Sequence, residues 1–451
     1  EENRQKQKDA LNAKSSNSSS NFPEGPEGPE GPKGEGVIPG SAMLLSYDRE
    51  DAAILGQGYT VVDALRQETQ GDANAPSFSN GYENGPVSVW TGSKMIAWGE
   101  VSDSNDSATR MPGGAVYNTS TREWSPMSAE GGPNFSQIMF DTYDVPWPRA
   151  LWTGSKMIVD GVTDGPDTTD LWQGWIYDLE QNTWSRPAEG GPVNYDVWGS
   201  VWTGSKLIVL GDNIFENNSY ELRGAIYDPE ADAWTEMSPG STDIVADTAM
   251  GPEPEAVWMG DKLFVGAEKD SNEIENSIYL SYTYDPVSKT WTSLRELVIP
   301  DELTPSYLSD INIIWTGSKV IVGWIFSGPD PSLDGWVGYA YDPVVTSWRQ
   351  LPEEGAPSFG SSYFGGDFNV FWTGSELIVG AGLSDYESSS RTWQGYSYNP
   401  AESTWSIMPA FEKRGNDMDA YYSLSQVGGK IVIWSSQYNI NGDVYRVVHG
   451  G

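Results

Sequence analysis

The chain of 451 residues contains no cysteine and a single histidine, His449. Disulfides and thiolate metal sites are therefore excluded. One imidazole near the end of the chain provides neither a histidine-based metal site nor a proton relay, and the histidine count also argues against Ser-His-Asp hydrolysis. The composition thus disfavours several common classes of enzyme before any motif is considered.

Long apolar runs and basic residues are also scarce. No run approaches the roughly 18 to 20 residues that a membrane-spanning helix needs. Lys and Arg number 26 against 64 Asp and Glu, which gives a formal net charge of −38. Because such a field repels nucleic-acid phosphates and anionic head groups, we expect no nucleic-acid partner and no direct membrane insertion. The charge either keeps the protein soluble, including in salty surroundings, or attracts cations or a basic partner.

What the sequence does contain is a sixfold repeat. Each copy opens with a Trp-Thr-Gly-Ser-Lys-like segment and ends with a Tyr-Asp-Pro-like turn and a tryptophan seven positions after the tyrosine. The closing tryptophans, 50 to 60 residues apart, are Trp124, Trp184, Trp234, Trp291, Trp348 and Trp405. This spacing indicates one supersecondary unit repeated so that neighbours bury each other's apolar faces. We expect the six closing tryptophans to be packing elements between units.

Each copy has the pattern of four antiparallel strands. In the first copy, two β-rich runs within residues 87–98 flank a four-residue turn from Thr91 to Lys94. Residues 114–117 form the expected third strand, and Trp124 begins the fourth. Four strands per repeat of this length are typical of a β-propeller blade.

These residues resemble the kelch-repeat family of propellers over roughly residues 85–450. The likeness lies in the Tyr-Asp-Pro turn, the closing tryptophan and a glycine after the second strand. In the six copies this glycine is Gly99, Gly161, Gly211, Gly266, Gly323 and Gly380. The second glycine that is usual in kelch units is missing in most copies. Some kelch-like propellers are copper oxidases, but that resemblance implies several histidines and a cysteine-linked tyrosine, which this chain cannot supply.

A seventh copy begins at residues 427–434 and continues through residues 443–448 without a closing tryptophan strand. Because an unpaired sheet edge invites aggregation, the last blade needs a partner strand. Two β-rich runs ahead of the first copy, residues 42–47 and 58–62, are candidates. We therefore predict an all-β, seven-bladed kelch-like β-propeller at residues 41–451, with four-stranded antiparallel blades and a last blade completed by an N-terminal strand.

Residues 1–40 differ in composition and predict an extended N-terminal arm. A Ser/Asn-rich linker precedes a short Gly-X-Y pattern, with glycine at Gly25, Gly28, Gly31 and Gly34. This segment is either a stiff spacer or a trimerising collagen-like stub. The chain begins with Glu1 rather than methionine, which we interpret as the start of either a processed mature protein, after removal of an export signal or anchor helix, or a trimmed chain. The expected location is extracellular or at the cell surface.

The connections between strands predict where a partner binds. The turns that join strands one to two and three to four lie at one end of each blade and are nearly uniform in sequence. The connections at the other end, from strand two to three and from strand four to the next blade, vary in length and chemistry. Rigid scaffolds carry function on such irregular loops. The candidate binding residues are aromatic: Phe140, Tyr143, Trp147, Tyr195, Trp198, Tyr307, Tyr363, Phe364, Tyr421 and Tyr422. Such residues could stack on sugars or anchor a protein partner, or they could instead plug the central funnel.

Acidic residues also collect in the variable connections. The acidic stretches are residues 103–106, 160–170, 212–221, 268–275 and 330–334. They could supply oxygen ligands to Ca²⁺, but none matches the EF-hand loop pattern, and clustered acids are often simply solvated. We predict no metal site or cofactor, with Ca²⁺ as an open alternative.

Three functions remain after these exclusions. The favoured hypothesis is a non-catalytic, extracellular or surface-displayed binding module that recognises a protein or glycan. The second is the subunit of an extracellular filament or pilus-like homo-oligomer held together by residues 1–40. The third is a polysaccharide hydrolase or lyase, for which acidic residues are abundant but show no distinctive spacing.

Overall fold

The structure is a computed structural model that describes the strands and tight turns of the chain. The described residues are 59–61, 87–103, 106–118, 120–121, 123–135, 148–164, 170–192, 196–214, 220–240, 255–269, 278–299, 309–326, 335–359, 363–385, 390–408, 411–412, 422–427, 430–435 and 447–449. All of them belong to residues 34–451, the second of two units of the chain. The predicted arm, residues 1–40, lies outside the described residues.

The described residues form 30 strands in seven antiparallel sheets, and they include no α-helix. The first ones along the chain are β1 (Tyr59–Val61), β2 (Val87–Trp90), β3 (Lys94–Asp103), β4 (Asp106–Asn118), β5 (Glu123–Pro126), β6 (Arg149–Trp152), β7 (Lys156–Asp164), β8 (Asp170–Asp178), β9 (Thr183–Ser185), β10 (Asp196–Trp202), β11 (Leu207–Ile214), β12 (Tyr220–Asp228) and β13 (Ala233–Glu236). Strands β2–β5, β6–β9 and β10–β13 form blades 1, 2 and 3, each paired in chain order.

The later blades follow the same plan. Their strands are β14 (Glu255–Trp258), β15 (Leu263–Lys269), β16 (Ile278–Asp285), β17 (Thr290–Ser293), β18 (Leu297–Val298), β19 (Ser309–Trp315), β20 (Val320–Phe326), β21 (Gly335–Asp342), β22 (Ser347–Gln350), β23 (Tyr363–Trp372), β24 (Leu377–Asp385), β25 (Ser390–Asn399), β26 (Thr404–Ile407), β27 (Phe411–Glu412), β28 (Tyr422–Val427), β29 (Lys430–Ser435) and β30 (Val447–His449). Strands β14–β17, β19–β22 and β23–β26 form blades 4, 5 and 6, and the short β18 and β27 pair with the third strands of blades 4 and 6.

The seventh blade confirms the predicted closure. Its strand order is β28, β29, β30 and then β1, which pairs antiparallel with β30. The register places Tyr59, Thr60 and Val61 opposite His449, Val448 and Val447. The closing strand thus comes from the second candidate run, residues 58–62, while residues 42–47 lie outside the described part of the chain.

The first strands of the blades form a closed ring. Each of β2, β6, β10, β14, β19 and β23 contacts the first strand of the next blade, and β28 contacts β2. The chain is therefore an all-β, seven-bladed propeller with four-stranded antiparallel blades, as predicted. In the part of the chain that the structure describes, no helix is long and apolar enough to span a membrane.

Threonine and glycine explain the turn between the first two strands. The Thr91 amide donates to the Lys94 carbonyl at 2.9 Å, and the Thr91 side-chain oxygen accepts the Lys94 amide at 3.0 Å. Gly92 has a φ of 93°, a conformation that glycine adopts without a steric penalty. The same turn recurs at Thr153, Thr203, Thr316 and Thr373. Blade 4 keeps the glycine and the backbone bond but has Met259 in place of threonine. Hairpin geometry therefore explains why the Trp-Thr-Gly-Ser-Lys segment is repeated.

Aspartate explains the turn between the last two strands. The Asp178 side chain accepts the backbone amides of Glu180 and Gln181, both at 3.0 Å, which forms an Asx turn. Asn182 then adopts a φ of 52° before the closing strand begins. Asp228, Asp285, Asp342, Asn118 and Asn399 accept backbone amides in the same way.

The repeated glycines make room for aromatic side chains inside the sheets. Gly266 and Gly323 lie within the second strands β15 and β20, not after them as the sequence suggested. A Cβ atom at Gly323 would lie 2.0 Å from the Trp336 ring, and one at Gly266 would lie 1.9 Å from the Tyr279 hydroxyl. Only glycine therefore permits these aromatic rings to lie flat across the neighbouring strand.

Candidate functional site

The two ends of the propeller have different chemistry. We call the end with the Thr-Gly-Ser-Lys and Tyr-Asp turns the turn end, and the opposite end, where each first strand begins, the loop end. At the turn end, Lys206 and Lys319 each donate to an Asx-turn aspartate, Asp228 or Asp342, at 2.6 Å. In both pairs this hydrogen bond does most to lower the pKa of the aspartate. The turn end thus consists of nearly identical hairpins, and in blades 2, 3 and 5 the hairpin lysine is paired with the aspartate of the second turn.

Six of the ten predicted binding residues lie outside the described residues, namely Phe140, Tyr143, Trp147, Tyr195, Tyr307 and Tyr421. Tyr363 and Phe364 are the first two residues of β23, and Tyr422 is the first residue of β28. These positions begin the first strands of neighbouring blades 6 and 7. The structure thus places three of the candidates at the entry of strands that face the loop end.

Trp198 has a different environment from the other candidates. It lies within β10, is only 8% exposed, and packs in the core between blades 3 and 4 with Leu210 and Leu280. The sequence suggested an exposed position in a connection, but the strand begins earlier, at Asp196, and the side chain points into the blade interface. Trp198 is therefore a core residue in the structure and offers no exposed ring.

The closing tryptophans join successive blades. In blades 2 to 6, the indole N–H of the closing tryptophan donates to a backbone carbonyl of the preceding blade, always four residues after that blade's own closing tryptophan. These bonds are Trp184 to Ser128, Trp234 to Ala188, Trp291 to Ser238, Trp348 to Arg295 and Trp405 to Pro352, at 2.8 to 2.9 Å. Trp124, in blade 1, is buried and stacks at a tilt on Tyr117. We call these five bonds the tryptophan latches.

The latch between blades 1 and 2 is reinforced by a second hydrogen bond. The Ser128 amide donates to the Asn182 side chain at 2.8 Å, so both backbone groups of Ser128 bond to blade 2. The Tyr177 hydroxyl donates to the same Asn182 oxygen. Burial, with a smaller contribution from Asp178, raises the pKa of Tyr177 to about 12, so this donor keeps its proton at neutral pH.

A buried ion pair lies near the loop end of blade 2. Arg149, the first residue of β6, contacts Asp160 of β7 at 3.1 Å, and Asp160 is fully buried. The Trp172 indole donates to Asp160 at 3.0 Å, and Arg149 also donates to the Trp198 carbonyl of blade 3 at 2.8 Å. Both charges are thus compensated, as buried charges must be. The cluster also ties two blades together.

This cluster corrects one expectation for calcium. Asp160 begins one of the acidic stretches considered as an alternative source of Ca²⁺ ligands, but its carboxylate is committed to Arg149 and Trp172. Within the described residues, no group of three or more His, Cys, Asp or Glu side chains could hold a metal ion. Of the remaining acidic stretches, residues 330–334 lie outside the described residues, and the other three are described only in part.

The residue at the position equivalent to Arg149 differs in charge and size from blade to blade. It lies three residues before the opening tryptophan, and the equivalent residues are Val87, Gly199, Glu255, Asn312 and Asn369. Glu255 accepts the backbone amide of Ile313 in blade 5 at 3.0 Å. Sequence reasoning missed Arg149 and Glu255, although a charged residue at this place in an otherwise β-rich run was a visible signal.

A buried tyrosine lies beside Glu255 between blades 4 and 5. Tyr279 is fully buried, and its hydroxyl has no hydrogen-bond partner within the described residues. Burial raises the pKa of Tyr279 well above its usual value, and the charge of Glu255 adds to the shift. A phenol held neutral and enclosed between two blades cannot act as a base toward an external substrate at neutral pH.

A small cavity lies between blades 5 and 6, among Trp336, Gln350, Glu353 and Trp405. Its volume is about 20 Å³, room for about one water molecule. Pockets for drug-sized ligands are larger, about 300 to 1,000 Å³. This cavity is therefore a packing defect beside a tryptophan latch and not a ligand site of ordinary size.

The chain matches no protein-family model and no curated protein. Among solved structures it is similar to the β-propeller domain of the Trilobed protease from Pyrococcus furiosus, with 11% identity, a TM-score of 0.46, and coverage of 81% of this chain and 93% of that chain. It is also similar to the polysaccharide lyase Uly1, with 9% identity, a TM-score of 0.48, and coverage of 93% and 100%. A third similar structure is the acylaminoacyl peptidase of Pyrococcus horikoshii, with 11% identity and a TM-score of 0.44, where the match covers 79% of this chain and 49% of that one. The fold assignment depends on the strand pairing of this chain itself.

Proposed function

We propose that this chain is a non-catalytic, kelch-like propeller, displayed outside the cell or on its surface, that binds a protein or glycan through its loop end. The contrast between the two ends of the ring carries the proposal. Six blades repeat the same turns at the turn end, whereas equivalent first-strand positions at the loop end differ in charge and size. A rigid scaffold with one variable end is typical of recognition proteins.

The reactive groups near the loop end support a non-catalytic role. Asp160 is neutralised by Arg149, and Tyr279 keeps its proton. General acid–base catalysis needs groups that exchange protons near the working pH and can reach a substrate. Neither group meets both conditions.

The kelch-like part of the proposal depends on local geometry. In blades 4 and 5, a glycine of the second strand lies beneath an aromatic ring of the third strand, as at Gly323 and Trp336. The Asx turn, and in blades 2 to 6 the tryptophan latch, complete the unit. These features explain physically why the glycine, the aspartate and the tryptophan recur at fixed spacing.

The test compares the two ends on the full chain. The wild-type protein is applied to an array of neutral and acidic glycans and to an array of purified extracellular proteins. We expect a bound probe to be lost in a Tyr143→Ala, Trp147→Ala variant, which changes two candidate residues in the connection that precedes β6. Binding should persist in a Val287→Ala, Val344→Ala variant, which changes two exposed valines at the turn end. Absence of any bound probe, or loss of binding only in the turn-end variant, would contradict the proposal.

A filament subunit is the second candidate, because the arm carries a Gly-X-Y pattern and the last blade takes its closing strand from the N-terminal side. Electron microscopy at rising protein concentration tests it, since regular fibres support the filament and dispersed particles throughout exclude it. The glycans of the array serve as substrates in a parallel assay. Release of new reducing ends or unsaturated sugars would contradict the binding-module hypothesis and support a polysaccharide hydrolase or lyase.

A further inference from the structure

The turn between the third and fourth strands of blade 5 exposes two consecutive valines. Val344 is 87% exposed and Val345 is 63% exposed. Among the described residues, no other large apolar side chains are both exposed and adjacent in sequence. The Asp342 side chain accepts both valine amides, at 2.9 and 3.4 Å, so the Asx turn holds the backbone in place while the two side chains face solvent.

The fold does not require valine at these two positions. The same Asx turn forms in blades 1 to 6. In the other five blades, the two residues at the equivalent positions include at least one polar side chain or alanine, namely Ser120 and Thr121, Glu180 and Gln181, Glu230 and Ala231, Val287 and Ser288, and Ala401 and Glu402. Because the turn forms equally well with polar residues, the valine pair of blade 5 is available for contact with another molecule.

An exposed arginine of blade 4 lies next to this turn. The Arg295 carbonyl accepts the Trp348 latch at 2.9 Å, which places Arg295 at the boundary between blades 4 and 5. At the preceding boundary, the equivalent residue, Ser238, also donates to the carbonyl of Lys289, the left-handed residue of the neighbouring turn. In blade 5 the left-handed residue is Thr346, directly after the second valine. Arg295 therefore adjoins the valine turn.

Arg295 is followed by an exposed residue of opposite charge, Glu296. Neither side chain forms an ion pair or a hydrogen bond with any described residue, and they do not pair with each other. The other latch acceptors carry no charge: Ser128, Ala188, Ser238 and Pro352. The adjacent, unpaired Arg and Glu are thus particular to the boundary that also carries the two valines.

We propose that the surface formed by Arg295, Glu296, Val344 and Val345, which we call the valine seam, joins two copies of this chain in a symmetric dimer. In a two-fold contact each residue meets its partner reciprocally. Arg295 of one copy pairs with Glu296 of the second copy, and Glu296 of the first pairs with Arg295 of the second. A surface with one positive and one negative charge beside an apolar pair is complementary to itself, and a second copy therefore fits it.

The charge of the rest of the chain favours contact at this place. Two chains of formal charge −38 repel each other. At 0.15 M ionic strength the screening length is about 8 Å, so charges near the contact decide. At the valine seam Arg295 offsets Glu296, and Asp342 is already paired with Lys319. The equivalent turns of blades 2 and 3 would instead bring glutamates against like charges.

This dimer goes beyond the proposed ligand binding and does not rest on it. A two-fold contact closes after two copies, which also distinguishes it from a filament. The glycan and protein arrays test the loop end. Failure of dimerisation therefore leaves the array result unchanged, and failure of the arrays leaves the dimer unchanged.

Sedimentation velocity of the full chain, from about 5 µM to about 1 mM in 0.15 M salt, tests the dimer. We expect the wild type to show a monomer–dimer equilibrium. Arg295→Glu and Glu296→Arg should each raise the dissociation constant at least tenfold, because like charges then face each other across the contact. An equimolar mixture of the two variants should restore dimers, since each acidic pair then meets a basic pair.

A matched pair of valine variants tests the apolar part of the contact. Val344→Asp should raise the dissociation constant at least tenfold, whereas Val287→Asp should leave it unchanged. Val287 is 92% exposed at the equivalent position of blade 4, where the adjoining latch acceptor is Ser238 instead of arginine. Circular dichroism checks that each variant folds, and Val345→Asp replaces Val344→Asp if that variant does not.

Three results would overturn the proposal. The first is a wild type that stays monomeric up to about 1 mM, and the second is a mixture of the two charge variants that dimerises no better than either alone. The third is growth of the wild type into species larger than a dimer. Recovery in the mixture supports the reciprocal contact directly, because a one-sided contact with an unrelated molecule would not produce it.

Discussion

Replacing Trp405 with alanine tests the role of the closing tryptophans most sharply. The indole is 9% exposed, lies edge-on to Trp336 at 5.6 Å, and donates to the Pro352 carbonyl at 2.9 Å. Truncating a buried tryptophan costs about 3–5 kcal/mol through lost burial and the cavity that remains. We expect Trp405→Ala to lower the free energy of unfolding by that amount.

Two companion variants separate packing from the latch. Trp405→Phe retains a ring but removes the N–H, so the Pro352 carbonyl loses its partner, at a cost of about 1–2 kcal/mol. Ile407→Ala changes a residue on the same strand that is 66% exposed, and we expect an effect within about 0.5 kcal/mol. The structure therefore predicts that the loss in the free energy of unfolding is largest for Trp405→Ala, smaller for Trp405→Phe and smallest for Ile407→Ala.

Urea unfolding followed by far-ultraviolet circular dichroism measures all three variants. If Trp405→Ala is as mild as Ile407→Ala, the tryptophan does not hold the blades together. If Trp405→Phe matches the wild type while Trp405→Ala does not, the ring packs as described but the hydrogen bond contributes nothing.

Three further predictions concern a buried ion pair, the pH dependence of stability, and a buried hydroxyl without a hydrogen-bond partner among the described residues. Asp160→Asn leaves the Arg149 guanidinium without its counter-charge and should cost about 3–5 kcal/mol in urea unfolding, whereas an Arg149→Met, Asp160→Leu double variant should recover most of that loss. The hydrogen bond from Lys319 lowers the pKa of Asp342, so its contribution to stability is present at neutral pH and is lost as pH falls below about 4. Thermal melting between pH 6 and 3 should therefore show a smaller acid-induced drop in Asp342→Asn than in the wild type, and an equal drop would refute the assignment. Tyr279→Phe removes an unpartnered buried hydroxyl and should leave stability equal or higher by about 1 kcal/mol, and a loss would show that the hydroxyl has a partner.

The turns and blades could be predicted from sequence because their causes are local. The Thr91 turn and the Asp178 turn each satisfy their hydrogen bonds within three residues. Any copy of the sequence therefore carries the complete signal for its own hairpins. The closing strand was predictable for another reason, since a seventh copy without a fourth strand requires one from elsewhere.

The contacts between blades could not be predicted in the same way. The acceptor of each tryptophan latch lies more than 40 residues away, as with Trp234 and Ala188. Asp160 looked like a solvated acid because its partner, Arg149, is on the neighbouring strand, and Trp198 looked exposed because the start of its strand was misplaced. Single-sequence patterns report the period of a strand but not what lies across an interface.

Scanning calorimetry of two deletions tests the central claim, a seven-bladed ring closed by an N-terminal strand. Removing residues 1–40 spares β1, and we expect the main melting transition to stay within a degree or two of the full chain. Removing residues 41–65 deletes β1 and opens blade 7, so the cooperative transition should broaden and fall by many degrees. If the chain without residues 41–65 melts like the chain without residues 1–40, the ring is not closed in this way.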